Sequence, residues 1–258
     1  MRNLYVLWKK EMIESSKNGK WIWLPIVFMI IGITQPITSY YMPEILEHAG
    51  NLPEGATISI PTPTGAEVLA GTLSQYGTVG TLLFILATMG VISNEKSSGA
   101  VTLVMVRPVS SLQYVTSKWL GQLIIAIVSL FASYSLTWYY TNLLFTSVDW
   151  LLFLQSFLIY SLWITLIVTF TICMGTIFKG NGAIAGVSIS FLGALSLLTS
   201  LLPKFMNWSP ANLREHATIL LMGQPAQDYL LLTLSFSIFI CIIFFVLAVI
   251  SFKRTEQY

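Results

Sequence analysis

The 258 residues are 55% hydrophobic and only 9% charged, with 8 Trp, 15 Phe and 11 Tyr. A soluble domain carries about 25% charged residues, so this composition excludes an ordinary soluble fold and indicates one polytopic membrane domain. The net charge of +2 says little as a sum; its distribution sets the topology.

Residues Asn3 to Asn18 read as an amphipathic helix. Leu4, Leu7, Trp8 and Met12 share one broad face, while Lys9, Lys10, Glu14 and Lys17 lie elsewhere. Such a helix rests in the headgroup layer of the inner leaflet; the competing expectation is a solvated tail. No secretory signal is expected, because about twenty largely polar residues precede the first apolar span without a following cleavage site. Six stretches are long enough to cross about 30 Å of hydrocarbon: roughly Trp21–Tyr41, Val68–Ile92, Trp119–Leu143, Leu151–Phe178, Ala183–Leu202 and Tyr229–Phe252. The first carries Pro25 and Pro36, with a bend expected near Pro36. Trp21, Trp23, Tyr40 and Tyr41 bracket it as an aromatic belt.

Met42 to Glu67 is punctuated by Pro43, Pro53, Pro61, Pro63 and Gly65 and reads as an irregular loop. Residues 203–228 are richer in signals. Ser209 is a good N-cap, Pro210 a good first helical residue and Gly223 a natural stop. Leu213, Ala217, Leu220 and Leu221 then form one apolar face, predicting a short helix that dips toward the membrane. Lysine and arginine fix the orientation. With the N-terminus inside, Arg2, Lys9, Lys10, Lys17, Lys20, Lys96, Arg107, Lys118, Lys179, Lys253 and Arg254 are cytoplasmic, and only Lys204 and Arg214 lie outside. Six spans return the C-terminus to the side that Lys253 and Arg254 favour.

Between the second and third spans, Ser93 to Lys118 is too long for a tight turn. It opens polar with Asn94, Glu95 and Lys96, then runs apolar from Ala100 to Val106 until Arg107 and Pro108. Pro108 cannot continue a helix and disfavours helical geometry at Arg107. Ser110 with Gln113 three residues on is a capping box that begins the next helix. Val101, Leu103, Val104, Met105 and Val106 make an apolar surface that so short a segment cannot bury alone. Such a patch marks either a partner site or the lipid interface.

The arrangement Glu95-x-x-x-Gly99-x-x-x-Leu103, then Arg107-Pro108-Val109-Ser110 and Lys118, resembles the signature after the second span of ABC-2-type permeases, the membrane subunits of ABC exporters. The chain departs from the family's usual Thr and acidic residue after the glycine, having Ala100, Val101 and Thr102 there. The resemblance implies a coupling helix that docks in a groove of a separate cytoplasmic ATPase through Glu95, Gly99, Val101, Leu103, Met105, Arg107 and Pro108. Glu95, a charge at the edge of that surface, is expected to orient the partner more than bind it. The family likeness extends to residues 1–20 as an elbow helix along the membrane and to residues 203–228 as an outer helix.

No G-x-x-x-x-G-K-[ST] occurs, so ATP and Mg are expected on the partner ATPase and no cofactor on this chain. Metalloprotease H-E-x-x-H and hydrolase G-x-S-x-G are also missing. Cys173 and Cys241 fall inside spans, which argues against a disulfide or metal cluster. The deep polar groups are neutral: Thr34, Gln35, Gln75, Gln122, Ser133, Thr137, Gln155 and Thr169. A neutral polar residue in a span more often bonds another helix than a substrate. Gln35, Pro36 and Gln75 are the candidates for a substrate path. In the fifth span Gly182, Gly186, Ser190 and Ala194 recur every fourth residue as a small-residue stripe. It serves either intrasubunit packing or, as the family likeness implies, the seam with a second permease copy or paralogue.

The expectation is an all-α, single-domain permease with both termini inside the cytoplasmic membrane, partnered by ATPase subunits, lipid and a second permease, not by nucleic acid. The rivals are an ATP-independent secondary carrier, which needs an intramembrane charge, and a membrane-embedded immunity factor or enzyme, which needs a reactive cluster. The charge split predicts that cysteines introduced as Ser97→Cys and Glu54→Cys react with an impermeant reagent from opposite faces of intact cells, Glu54→Cys from outside. Labelling of Ser97→Cys from outside would reverse the orientation.

Overall fold

A computed structural model describes residues 2–49, 61–101, 109–225 and 227–255. Among these residues all regular structure is helical. Helix α1 (Arg2–Lys17) leads into α2 (Lys20–Ala49), which runs through Pro25, Pro36 and Pro43. The second span is α3 (Gly65–Gln75), a wide π-helical turn (Tyr76–Gly80) and α4 (Thr81–Ser97). Then come α5 (Ser111–Leu144), α6 (Trp150–Ile177), α7 (Asn181–Leu201), a short 3₁₀ turn with α8 (Leu213–Leu221), and α9 (Leu230–Thr255). Six of these stretches are long and apolar enough to cross a membrane, so the chain is a multi-pass membrane protein.

Local chemistry explains most boundaries. The predicted Ser110–Gln113 capping box forms, with Gln113 N donating to the Ser110 hydroxyl at 3.3 Å and Ser110 N to Gln113 Oε1 at 3.2 Å. A second box, Thr64 with Glu67, starts α3 inside the segment expected to be loop, so the second span begins three residues before Val68. Ser209 caps the 3₁₀ turn, and Gly223 ends α8 at φ +66°. The face of α8 that packs inward is the predicted one, with Leu213, Ala217 and Leu221 buried.

Helix α6 is the central element. Two-thirds of its apolar window is buried (67%), against 11% for α9 at the periphery. It packs against α4, α5, α7, α8 and α9. Several of its polar atoms are tied to neighbours, as buried groups in lipid favour: Ser156 Oγ lies 2.9 Å from the Tyr134 hydroxyl, Tyr160 donates to Leu73 O at 3.2 Å, and Trp119 Nε1 donates to Thr169 Oγ1 at 2.8 Å. Several of the deep neutral groups are thus helix–helix bonds.

The second span buries residues in adjacent pairs every fourth position: Val68–Leu69, Thr72–Leu73, Tyr76–Gly77, Gly80–Thr81 and Phe84–Ile85. An α-helix over-rotates by about 40° in four residues, so a stripe of period four drifts off its face. The wide turn at Tyr76–Gly80 rotates less per residue and recovers part of that drift. It also carries the Tyr76 hydroxyl to Ser133, whose own hydroxyl donates to Phe28 O on α2. Gly32 makes this crossing possible, because a Cβ there would collide with the Tyr76, Thr137 and Ser133 oxygens. Gly32→Ala is therefore expected to lower the unfolding midpoint in detergent by an overpacking cost of about 1–3 kcal/mol. Gly186→Ala, with no atom within 4 Å of its Cβ position, should leave the single chain's stability unchanged. Equal midpoints for the two variants would contradict this packing.

Candidate functional site

Glu95 sits in the last turn of α4, one turn beyond the apolar run that ends at Ile92. It is 7% exposed, so its carboxylate is largely withdrawn from water. A carboxylate withdrawn from water needs donors, and three side chains from two helices provide them. Lys118 of α5 donates to Oε1 at 2.8 Å, Lys10 of α1 donates to the same oxygen at 2.8 Å, and Tyr114 of α5 donates to Oε2 at 2.5 Å. Lys118, itself 2% exposed, also pairs with Glu11 of α1. Lys20, at the start of α2, donates to Ala87 O at 2.6 Å and to Gln122 Oε1 at 2.8 Å. These groups border a cavity of about 300 Å³ lined by Glu11, Ser15, Lys20, Glu95, Lys118 and Gln122.

The neighbours of Glu95 reach three further helices. Ser93 donates to Asn181 Oδ1 at the start of α7, and Asn181 Nδ2 donates to Asn94 Oδ1 at 2.9 Å. Lys96 donates to Thr176 O near the end of α6, and its ammonium stands 5.9 Å from the Phe252 ring centroid on α9. Phe252 in turn stacks on Tyr114, with centroids 4.5 Å apart and planes 10° from parallel. Four consecutive residues thus hold α1, α5, α6, α7 and α9 at one end of the bundle.

Electrostatics follow from this crowding. Burial holds the Glu11 carboxyl above its ordinary range, opposed by the charge and hydrogen bond of Lys118. Burial lowers Lys10, but the Glu95 hydrogen bond and charge outweigh it and hold the ammonium above its ordinary value. Glu11, Glu14 and Glu95 bring carboxylate oxygens within 4.8 Å of one another. A divalent cation does not suit this place, because the Lys118 ammonium already bridges Glu11 and Glu95.

The other sequence-predicted residues fall into three groups. Gly99 has φ +73°, the left-handed conformation that closes a helix, and donates to Lys96 O at 3.3 Å. Val101 packs half-buried against the core. Leu103, Met105, Arg107 and Pro108 lie outside the described residues. Gln35 and Gln75 are brought together, Gln75 Nε2 donating to Gln35 Oε1 at 2.7 Å just before the wide turn, with Pro36 buried beside them. Gly182, Gly186, Ser190 and Ala194 are all exposed on α7.

Residues 55–258 match the family described as a protein of unknown function, DUF2705. The chain belongs to the DUF2705 family. It is also similar along its whole length to an uncharacterized transmembrane protein, YxlG, of Bacillus subtilis (strain 168), with 42% identity over 258 residues covering all of both chains.

Glu11, Lys10, Lys20 and Tyr114 of this DUF2705 protein were not among the sequence-predicted site residues. One signal does point to Glu11. It falls three or four residues after Leu7 and Trp8, in the middle of the apolar face of α1, where a carboxylate needs a buried partner. Lys118→Met would leave Glu11 facing Glu95 without its bridging cation. Removing one partner of a buried ion pair costs about 3–5 kcal/mol, and adding Glu11→Gln should recover part of that loss. Lys10→Met, at a side chain 46% exposed, should cost at most about 1 kcal/mol. Unfolding midpoints in detergent that do not separate Lys118→Met from Lys10→Met would refute the cluster's asymmetry.

Proposed function

We propose that this chain is the membrane-spanning permease subunit of an ATP-driven ABC exporter of the ABC-2 type. It lies in the cell membrane with both termini cytoplasmic and works as a dimer with separate ATPase subunits that bind ATP and Mg. Helix α1 is the elbow helix, residues 93–118 the coupling segment, and α8 the outer helix. The observation that carries this reading is the junction at Ser93–Lys96. A push delivered to the segment that follows Gly99 meets a side-chain network anchored in five helices, which is what transmission from a cytoplasmic motor to a bundle requires. ATP-driven closure of the partner then moves the coupling segment, α4 and α5 together and changes the opening of the path between permease copies.

The small-residue face of α7 supports the dimer, since close backbone approach is what holds helices together in lipid. Its four residues are exposed on the single chain and free for such a contact. The Gln35–Gln75 pair beside the wide turn is the polar part of the proposed substrate path. The rival reading, an ion-coupled carrier, draws on the buried Lys118, Glu11 and Glu95. Those charges pair with one another at the helix ends instead of standing alone at depth, so they serve the junction better than a relay.

The reading is tested by purifying the tagged chain from its native membrane and identifying what comes with it. An ABC ATPase should co-purify. Burying one Leu or Met side chain is worth about 1.5–3 kcal/mol, so Leu103→Asp or Met105→Asp should cut ATPase recovery roughly tenfold or more without reducing inserted chain. Wild-type chain that carries no ABC ATPase, or full recovery in both variants, would overturn the proposal in favour of the carrier.

A further inference from the structure

At the end of the bundle opposite the charge cluster, Arg214 projects from α8 toward the second span. Its Nη1 donates to Gly77 O at 3.3 Å and its Nε to Ala211 O at 3.4 Å, both long contacts. The guanidinium lies 5.1 Å from the centroid of the buried Trp163 ring, a cation–π position. Gly77 is what admits it, because a Cβ there would stand 2.9 Å from Nη1. No described carboxylate lies within 4 Å of this cation. Burial lowers its proton affinity, yet an arginine stays charged in proteins. A half-buried guanidinium with five donors, two of them in long bonds to carbonyls, thus retains capacity for an anion.

The surroundings define the kind of anion. Arg214 lines a cleft of about 610 Å³ between the second span, α7 and α8. Hydroxyls stud its walls: Ser74 and Thr78 from the second span, Ser196, Thr199 and Ser200 from α7. Glu215 is the one acidic residue in the lining; it is exposed and forms no ion pair with Arg214. Lys204, also exposed, follows directly on Pro203 of the rim. Around the mouth the surface turns apolar, with Val79, Leu197 and Leu201 exposed by 46%, 64% and 73%. A cation and hydroxyls within, and an exposed apolar surface outside, match a molecule with an anionic head and an acyl tail.

We propose that this cleft binds the anionic, hydroxyl-bearing headgroup of a membrane amphiphile, a phosphodiester held bidentately by Arg214 with its tails along α7 and the wide turn. The site stands independently of the ATPase reading, since it uses none of the residues 93–118. Arg214 binds the phosphoryl oxygens, and the serine and threonine hydroxyls take the glycerol or sugar hydroxyls of the head.

The experiment uses the full chain in a neutral detergent and follows its unfolding midpoint as phosphatidylglycerol, phosphatidylcholine or free glycerol 3-phosphate is added. Phosphatidylglycerol should stabilise the chain more than phosphatidylcholine at equal concentration, and glycerol 3-phosphate should do little. Arg214→Gln should weaken the apparent affinity for phosphatidylglycerol roughly tenfold or more, and Arg214→Lys should keep part of it. Ser200→Leu, which adds bulk to the cleft wall and leaves Arg214 in place, should also remove the preference. It decides the matter if Arg214→Gln does not fold. Equal shifts with the two lipids, a preference that survives Arg214→Gln or Ser200→Leu, or a free glycerol 3-phosphate effect as large as the lipid's would each overturn the proposal.

Discussion

A carboxylate in a low-dielectric setting is tolerated only inside a ring of donors, and Glu95 imposes that condition on the whole charged end of this protein. Lys118 and Tyr114 fix the start of α5 against the end of α4. Lys10 and Glu11 then fix α1 across both. Tyr114 carries the arrangement on to α9 through its stack with Phe252. Buried ion pairs add little net stability compared with apolar packing of the same shape. Their effect here is directional: only one register of α1, α4 and α5 satisfies every charge, so the network selects that arrangement among the many that apolar helices in lipid would allow.

The rest of the bundle contrasts with that end. Between the charge cluster and Arg214, the interior polar groups are neutral, and several of them bond across helices, such as Tyr134 with Ser156 and Gln75 with Gln35. Such bonds are worth about 0.6 kcal/mol each in a membrane. The middle of the protein is therefore joined by weak, exchangeable contacts, while the ends carry charge. His216, buried in α8 with its Nε2 3.3 Å from the Thr233 hydroxyl, belongs to the opposite end as a neutral link to α9, since burial lowers its pKa below the ordinary 6.5.

What the sequence disclosed and what it hid divide along the range of the interactions. The six spans, the Ser110–Gln113 box and the Ser209–Gly223 helix follow from signals within a few residues, and each was legible. The Thr64–Glu67 box was equally local but stood among prolines and glycines, which made that stretch look like loop. The burial of Glu95 was not legible because its partners are Lys10, 85 positions away, and Tyr114, 19 positions away. Glycine and arginine at Gly77 and Arg214 are likewise 137 positions apart. The period-four pairing from Val68 to Ile85 is a pattern of burial, with Gly77, Gly80 and Thr81 inside and Val79, Leu82 and Leu86 exposed, so residue types alone did not disclose the wide turn.

That wide turn has a consequence of phase. A π-helical turn holds one residue more than the α-helical path it replaces, so the two halves of the second span are out of step by one position. Were the turn to close into α geometry, everything on one side would advance like a screw by about 100° and 1.5 Å relative to the other. Tyr76 would leave Ser133 and Gly77 O would leave Arg214 if the upper half moved; Glu95 would swing off Lys118 if the lower half did. Closure of that turn and seating of both ends of the second span are therefore mutually exclusive.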